Sequence, residues 1–229
     1  MKNSLLILFF LLGISVAKSQ NDCTLYFPEV VNNSVEIRNF DGRDRLTSTQ
    51  ISKLKEKKVE NGAIKLLVDV TTTTASDNKT NNASYELVCQ GGEFVINFRN
   101  MFNPATLGAY QDMELSFTGD NLRYPSSMNV GDSLPNASAN MKVLSSGIQI
   151  MSMDMKFTSR KVDAKESVTV TGGTFDCIKL SYNYEVKSIF KAQGKSVEWY
   201  AKNVGLVKRE NYDSKGKLVD RSELFKITR

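Results

Sequence analysis

Apolar and polar side chains alternate along most of this chain. Ile64, Leu66, Val68 and Val70 occupy every second position, as do Tyr85, Leu87 and Cys89, then Phe94, Ile96 and Phe98, then Met113, Leu115 and Phe117. Farther on, Met151, Met153, Met155 and Phe157 alternate with Ser152, Asp154 and Lys156, and Ile178, Leu180, Tyr182, Tyr184 and Val186 alternate with Lys179, Ser181, Asn183 and Glu185. Successive side chains on a strand point to opposite faces, so each run predicts a strand with one apolar and one wet face.

Turn chemistry separates the runs. Asn61-Gly62, Gly91-Gly92, Gly119-Asp120-Asn121, Gly172-Gly173, Gln193-Gly194 and Lys215-Gly216 supply the positive φ angles of tight reversals. Connections this short pair neighbouring strands antiparallel. Helical periodicity is weak, and its best candidate is a single turn around Asn103 to Tyr110, opened by Asn103-Pro104. The pattern predicts an all-β fold, an antiparallel meander forming a curved sheet or a closed or half-open β-barrel with at most one short helix. Closure is favoured because it hides strand edges, and a two-sheet sandwich is the alternative. The polar Thr71 to Ser84 region reads as an exposed hairpin tip, and Lys53, Lys55, Lys57 and Lys58 as the wet face or edge of a strand.

Residues 1–19 read as a secretory signal, with Lys2 in a positive n-region, an apolar run from Leu5 to Leu12, and Ala17-Lys18-Ser19 at a cleavage site. That run is too short to span a bilayer as a helix, and no later stretch is long and apolar enough to do so. Cys23 follows the polar Gln20-Asn21-Asp22, so no lipobox precedes it. The reading is therefore a periplasmic or secreted protein without a transmembrane anchor, its residues 20–229 forming a single β-barrel-like domain. Loss of Lys2 and Lys18 lowers the basic count from 30 to 28 against 25 acids and the net charge from +5 to +3, too balanced to argue for nucleic acid.

Candidate chemistry is sparse. The chain has no histidine, which removes the usual general base and the commonest zinc ligand. Paired carboxylates or a Ser-Lys mechanism would remain, yet Asp and Glu occur singly on what read as wet strand faces. No glycine-rich phosphate cradle opens a helix, so no cofactor is expected. Met151-Ser152-Met153-Asp154-Met155 places three soft thioethers on one face, an arrangement suited to Cu(I), but no histidine or nearby cysteine completes a site. Met151, Met153, Met155 and Phe157, together with the large anchor Trp199, are instead expected to fill a core or line an apolar cavity.

Three cysteines in an oxidising compartment allow one bridge and leave one thiol. Cys23 at the new N-terminus and Cys89 at a strand end are the expected pair, with Cys177 a buried thiol inside a strand. Asp132-Ser133-Leu134 is similar to an acidic, hydroxyl, aliphatic tripeptide that some bacterial envelope proteins carry as an O-glycosylation acceptor. A turn before Pro135 accounts for the same residues.

Several segments occur in a familiar order: Tyr124-Pro125 with Val130-Gly131-Asp132-Ser133-Leu134-Pro135, Arg160-Lys161-Val162, Lys165 to Val170, Gly173 to Lys179, Glu198 to Ala201, Val204 to Lys208, and Gly216-Lys217-Leu218. In this the chain resembles the bacterial envelope family of domain-of-unknown-function 3108-like proteins, also labelled TapB-like. The resemblance is strongest over the C-terminal half and looser around Cys89 to Gly92. It implies a secreted or periplasmic β-barrel-like fold and carries over no catalytic residue; Gly173, Trp199 and Gly205 look like fold determinants. The expected function is a non-enzymatic envelope protein binding an apolar or lipid-like small molecule in its barrel. A structural module that binds another envelope protein is the alternative, and a histidine-independent hydrolase the remotest.

Overall fold

The computed structural model describes residues 26–101, 110 and 112–229. Their strands are β1 (Ser34–Asp41), β2 (Leu46–Glu60), β3 (Ala63–Thr74), β4 (Thr80–Gln90), β5 (Glu93–Ile96), β6 (Glu114–Gly119) and β7 (Leu122–Pro125). After them come β8 (Ala137–Ser145), β9 (Ile148–Val170), β10 (Gly173–Lys187), β11 (Lys191–Ala201), β12 (Gly205–Asp213) and β13 (Leu218–Thr228). All belong to one antiparallel sheet, in the order β6-β8-β9-β10-β11-β12-β13-β1-β2-β3-β4-β5-β7. The alternating runs fall on strands of this sheet, except that Phe98 lies in a 3-10 turn and Met113 just ahead of β6. The reversal expected at Gln193-Gly194 lies within β11, where Gly194 opposes Tyr184. Between β2 and β3, Asn61 and Gly62 take φ of 49° and 75°, the paired positive values that let a two-residue turn follow the twist of its strands.

The expected helical turn falls largely on residues 102–109, outside the described residues. Among those described, one 3-10 turn spans Phe98–Met101.

How the sheet curls follows from its connectivity. β6 and β7 stand at opposite ends of the pairing order, yet only Asp120 and Asn121 separate them in the chain. Three peptide steps span at most about 11 Å. The first and last strands must therefore lie close together, and because they do not pair with each other the sheet is a half-open barrel with a seam. Gly119 turns the chain out of β6 at φ 119°, and a Cβ there would collide with the Ser138 carbonyl on neighbouring β8. Only glycine fits both the angle and the approach.

Residues 126–136 then strap across to β9. The Ser126 amide donates to the Gly92 carbonyl at 2.7 Å, Leu134 N to Arg160 O at 2.8 Å, and Val162 N to Asp132 O at 2.9 Å. Met128 and Leu134 drop into the core beside Leu122 and Tyr124 of β7. The Tyr124 to Pro135 stretch is thus a structural tie between the two sides of the seam.

Strand register defines the inner face. Leu54 opposes Val68, Leu66 opposes Leu87, Cys89 opposes Phe94, and Phe94 opposes Tyr124. These residues share one buried cluster with Leu180 and Phe157 from the other half of the sheet. Each fully buried aliphatic side chain contributes roughly 1.5–3 kcal/mol. A second cluster gathers Trp199, Cys177, Val197 and Val207 with Val35, Ile37 and Leu224.

Candidate functional site

Among the inner-face residues runs a belt of polar side chains carried by seven neighbouring strands. Tyr182 on β10 opposes Ser196 on β11, Glu198 opposes Arg209 on β12, Arg209 opposes Ser222 on β13, and Ser222 opposes Asn39 on β1. Asn39 in turn opposes Ser48 on β2, and Gln50 opposes Thr72 on β3. Partners in register share a face, so the pairing alone lines these groups up.

Hydrogen bonds join them. Arg209 Nη2 donates to Ser222 Oγ at 3.0 Å, Ser222 Oγ to Asn39 Oδ1 at 2.7 Å, and Asn39 Nδ2 to Ser48 Oγ at 3.0 Å. Glu198 is only 5 % exposed, and both its oxygens are occupied: Tyr182 OH donates to Oε1 at 2.9 Å and Tyr200 OH to Oε2 at 3.0 Å. Burial, followed by the charge of Glu198, pushes the Tyr182 and Tyr200 hydroxyls well above the ordinary tyrosine pKa. The same two causes raise Tyr124, against the opposing pull of Arg160. Burial works against the charge of Arg209, but Glu198, Tyr182 and Asp220 hold its guanidinium above the usual arginine value.

Not every buried donor is satisfied. Arg209 Nε, Ser196 Oγ and Thr72 Oγ1 have no hydrogen-bond partner. Arg160, 3 % exposed, spends Nη1 on the Pro135 carbonyl at 2.6 Å and sets its guanidinium 4.8 Å from the centre of the Tyr124 ring, leaving Nε and Nη2 unpartnered. Such groups each cost about 1–3 kcal/mol, and more when charged, unless something supplies the missing bond.

A cavity of about 250 Å³ meets this belt. Asn39, Gln50, Ser52, Glu198, Arg209 and Ser222 form its polar wall; Val35, Ile37, Leu87, Phe94, Ile96 and Leu122 form the apolar one. Tyr26 and Phe27 also line it, from the segment before β1, the Tyr26 ring lying edge-on to Tyr200 with centroids 6.2 Å apart. Three larger recesses, about 650, 580 and 650 Å³, are lined mainly by exposed or half-buried side chains and gather no comparable buried charges.

The residues expected from sequence as cavity lining lie elsewhere. Met155 and Phe157 are buried in the main cluster, Met153 packs against it, and Met151 is half-buried with Sδ 3.6 Å from the Tyr110 hydroxyl. Trp199 belongs to the second cluster, where Nε1 donates to Glu166 Oε1 at 2.6 Å and Lys179 and Lys208 flank the ring. None of the five borders the 250 Å³ cavity. Of the expected cysteine pair, Cys89 is buried at the end of β4 and Cys23 lies outside the described residues; Cys177 is a buried free thiol.

Sequence reasoning named Arg160, Glu198 and several of the tyrosines only as motif or strand residues and did not single them out, with Arg209, as a site. The available signal was a glutamate within the short run Ser196 to Tyr200, where alternation with Val197 and Trp199 puts it on the polar side. Both faces of that segment are in fact covered, with Ser196, Val197, Glu198 and Trp199 all buried. Among the described residues no three His, Cys, Asp or Glu side chains come together as a metal-binding group, and no helix is long and apolar enough to cross a membrane.

No curated protein matches the chain. Two solved structures share its fold. A Bacteroides fragilis protein, described as exported and of YmcC-like fold, superposes with a TM-score of 0.74 at 22 % identity, covering 90 % of this chain and 100 % of that one. A Parabacteroides distasonis protein, described as a lipoprotein, gives a TM-score of 0.73 at 24 % identity, covering 90 % of this chain and 99 % of that one. The resemblance in sequence is borne out by a family model matching residues 32–224: the chain belongs to the DUF3108-like family.

Proposed function

We propose that this is an exported envelope protein that holds a small amphipathic molecule inside its half-barrel without catalysis. The observation that carries the reading is the 250 Å³ cavity, apolar along one wall and hydrogen-bonding along the other. Its volume lies just below the usual range for small-molecule sites, so it suits a short-chain molecule better than a whole lipid. The signal-like residues 1–19 and the exported and lipoprotein descriptions of the two similar structures support the envelope address. Native mass spectrometry of gently purified protein tests the idea: a retained small-molecule adduct is expected, and uniformly bare protein that takes up no added amphiphile would sink it.

The exposed tip between β10 and β11 favours a second reading, a module that docks a protein partner. Ile189 and Phe190 are 81 % and 76 % exposed there. A partner released by Phe190→Ser, with the cavity unoccupied throughout, would favour that reading.

A further inference from the structure

We propose, resting on the ligand-binding reading above, that the molecule in the cavity is an amphipathic anion whose carboxylate sits on Arg209 and whose short acyl chain runs along Ile37, Leu87, Phe94 and Leu122.

Three observations lead there. Beside the cavity stand two guanidiniums, Arg160 buried behind Tyr124 and Arg209 half-buried in the wall, against the buried carboxylate Glu198 and the half-buried Asp220. Among the described residues neither guanidinium forms a direct ion pair, since the Glu198 oxygens are taken by tyrosines, and a bound anion would supply the missing contact. The second observation concerns hydrogen bonds. Both oxygens of Glu198 already accept tyrosine hydroxyls, whereas Arg209 Nε, Arg160 Nε and Arg160 Nη2 are donors in search of acceptors. A ligand rich in acceptors fits that deficit; a cationic or donor-rich head does not. Arg209 is the contact residue because it lines the cavity, while Arg160 stands behind Tyr124 and acts through its field and through that ring.

The third is shape. The polar wall is carried by β11 to β13, β2 and the Asn39 end of β1, and the apolar wall by β4, β5, β7 and the Val35 and Ile37 end of β1. A molecule with one charged head and one short tail satisfies both walls at once. A sugar would strand the apolar wall, and a hydrocarbon would leave the guanidinium donor unmet.

Isothermal titration of the mature protein with octanoate, octanol and octylammonium, three heads on one tail, tests the proposal. Octanoate is expected to bind at least about tenfold more tightly than octanol, since a charge-assisted hydrogen bond replaces a neutral one. Octylammonium should bind weakest. Arg209→Gln should bring octanoate down to the level of octanol while octanol is unchanged, and Arg209→Lys should recover part of the difference; circular dichroism establishes that the variants fold, and the three-ligand comparison on the unaltered protein stands without them. Equal binding of octanoate and octanol overturns the anion assignment and leaves the amphiphile reading in place. Binding of none of the three removes both.

Discussion

Glu198 stands opposite Arg209 in the register of β11 and β12, yet its oxygens are bonded to Tyr182 and Tyr200 and not to the guanidinium. The carboxylate therefore plays two parts, as acceptor for two buried hydroxyls and as counter-charge for a cation it does not touch. Replacing it removes both at once. Glu198→Ala should destabilise the protein by about 3–5 kcal/mol, the cost of stranding a buried charge. Glu198→Gln, which keeps one acceptor, should cost less, and urea denaturation distinguishes the two.

Alkaline stability should be governed by the same tyrosines. Their pKa values are raised in the folded protein, Tyr85 to about 12 by burial and Tyr124, Tyr182 and Tyr200 upward by burial and by the charge of Glu198, against an ordinary value near 10. A raised pKa means that the folded state keeps its protons when the unfolded chain has begun to lose them. The contribution is intact below about pH 10 and falls away as pH rises beyond it. Tyrosinate absorbance from these residues should appear together with loss of the sheet signal in circular dichroism; ionisation inside an intact fold would contradict their burial.

At the seam, Gly119→Ala should cost about 1–3 kcal/mol, because it forces a side chain into a positive-φ position against the Ser138 carbonyl. Gly216, also at positive φ but with open space around it, is the control. Its substitution should cost less, as read from the two melting temperatures.

The cysteines give a further test. We expect a bridge from Cys23 to Cys89, closing a loop long enough to stabilise by roughly 4 kcal/mol on the chain-entropy account. Non-reducing peptide mapping should find that pair. Cys177, buried and with its thiol pushed up to about 11 by burial and by the nearby acids Asp176 and Glu166, should resist alkylation until the protein unfolds. Mapping that places Cys177 in the bridge would remove the assignment.

The fold was legible because alternation survives in nearly every strand: Leu66, Val68 and Val70, or Ile178, Leu180 and Tyr182, point inward together as their spacing requires. The site was not, for a reason visible on β11. Alternation tells which residues share a face but not which face is covered, and where both are covered the polar one reads as surface. Ser196, Glu198 and Tyr200 acquire their meaning only when Arg209 and Ser222 arrive from the next two strands and Asn39 from β1, which comes first in the chain but pairs beside β13 in the sheet. The same limit explains the methionines. Their shared face was correctly recognised, but Met153 and Met155 meet Ala139 and Met141 across β8 and β9, away from the polar belt.

The ring of strands has two junctions of different kinds. One is a ladder, Ser34 facing Thr228 across β1 and β13; the other is a length of chain, Gly119 to Leu122. A circularly permuted protein, with Arg229 joined through a short linker to Gln20 and new ends cut between Asp120 and Asn121, would keep every strand pairing and the lining residues Tyr26 and Phe27 while releasing the covalent link at the seam. If that link holds the curvature, the permutant should splay and lose octanoate; if the strap across to β9 suffices, it should bind as before.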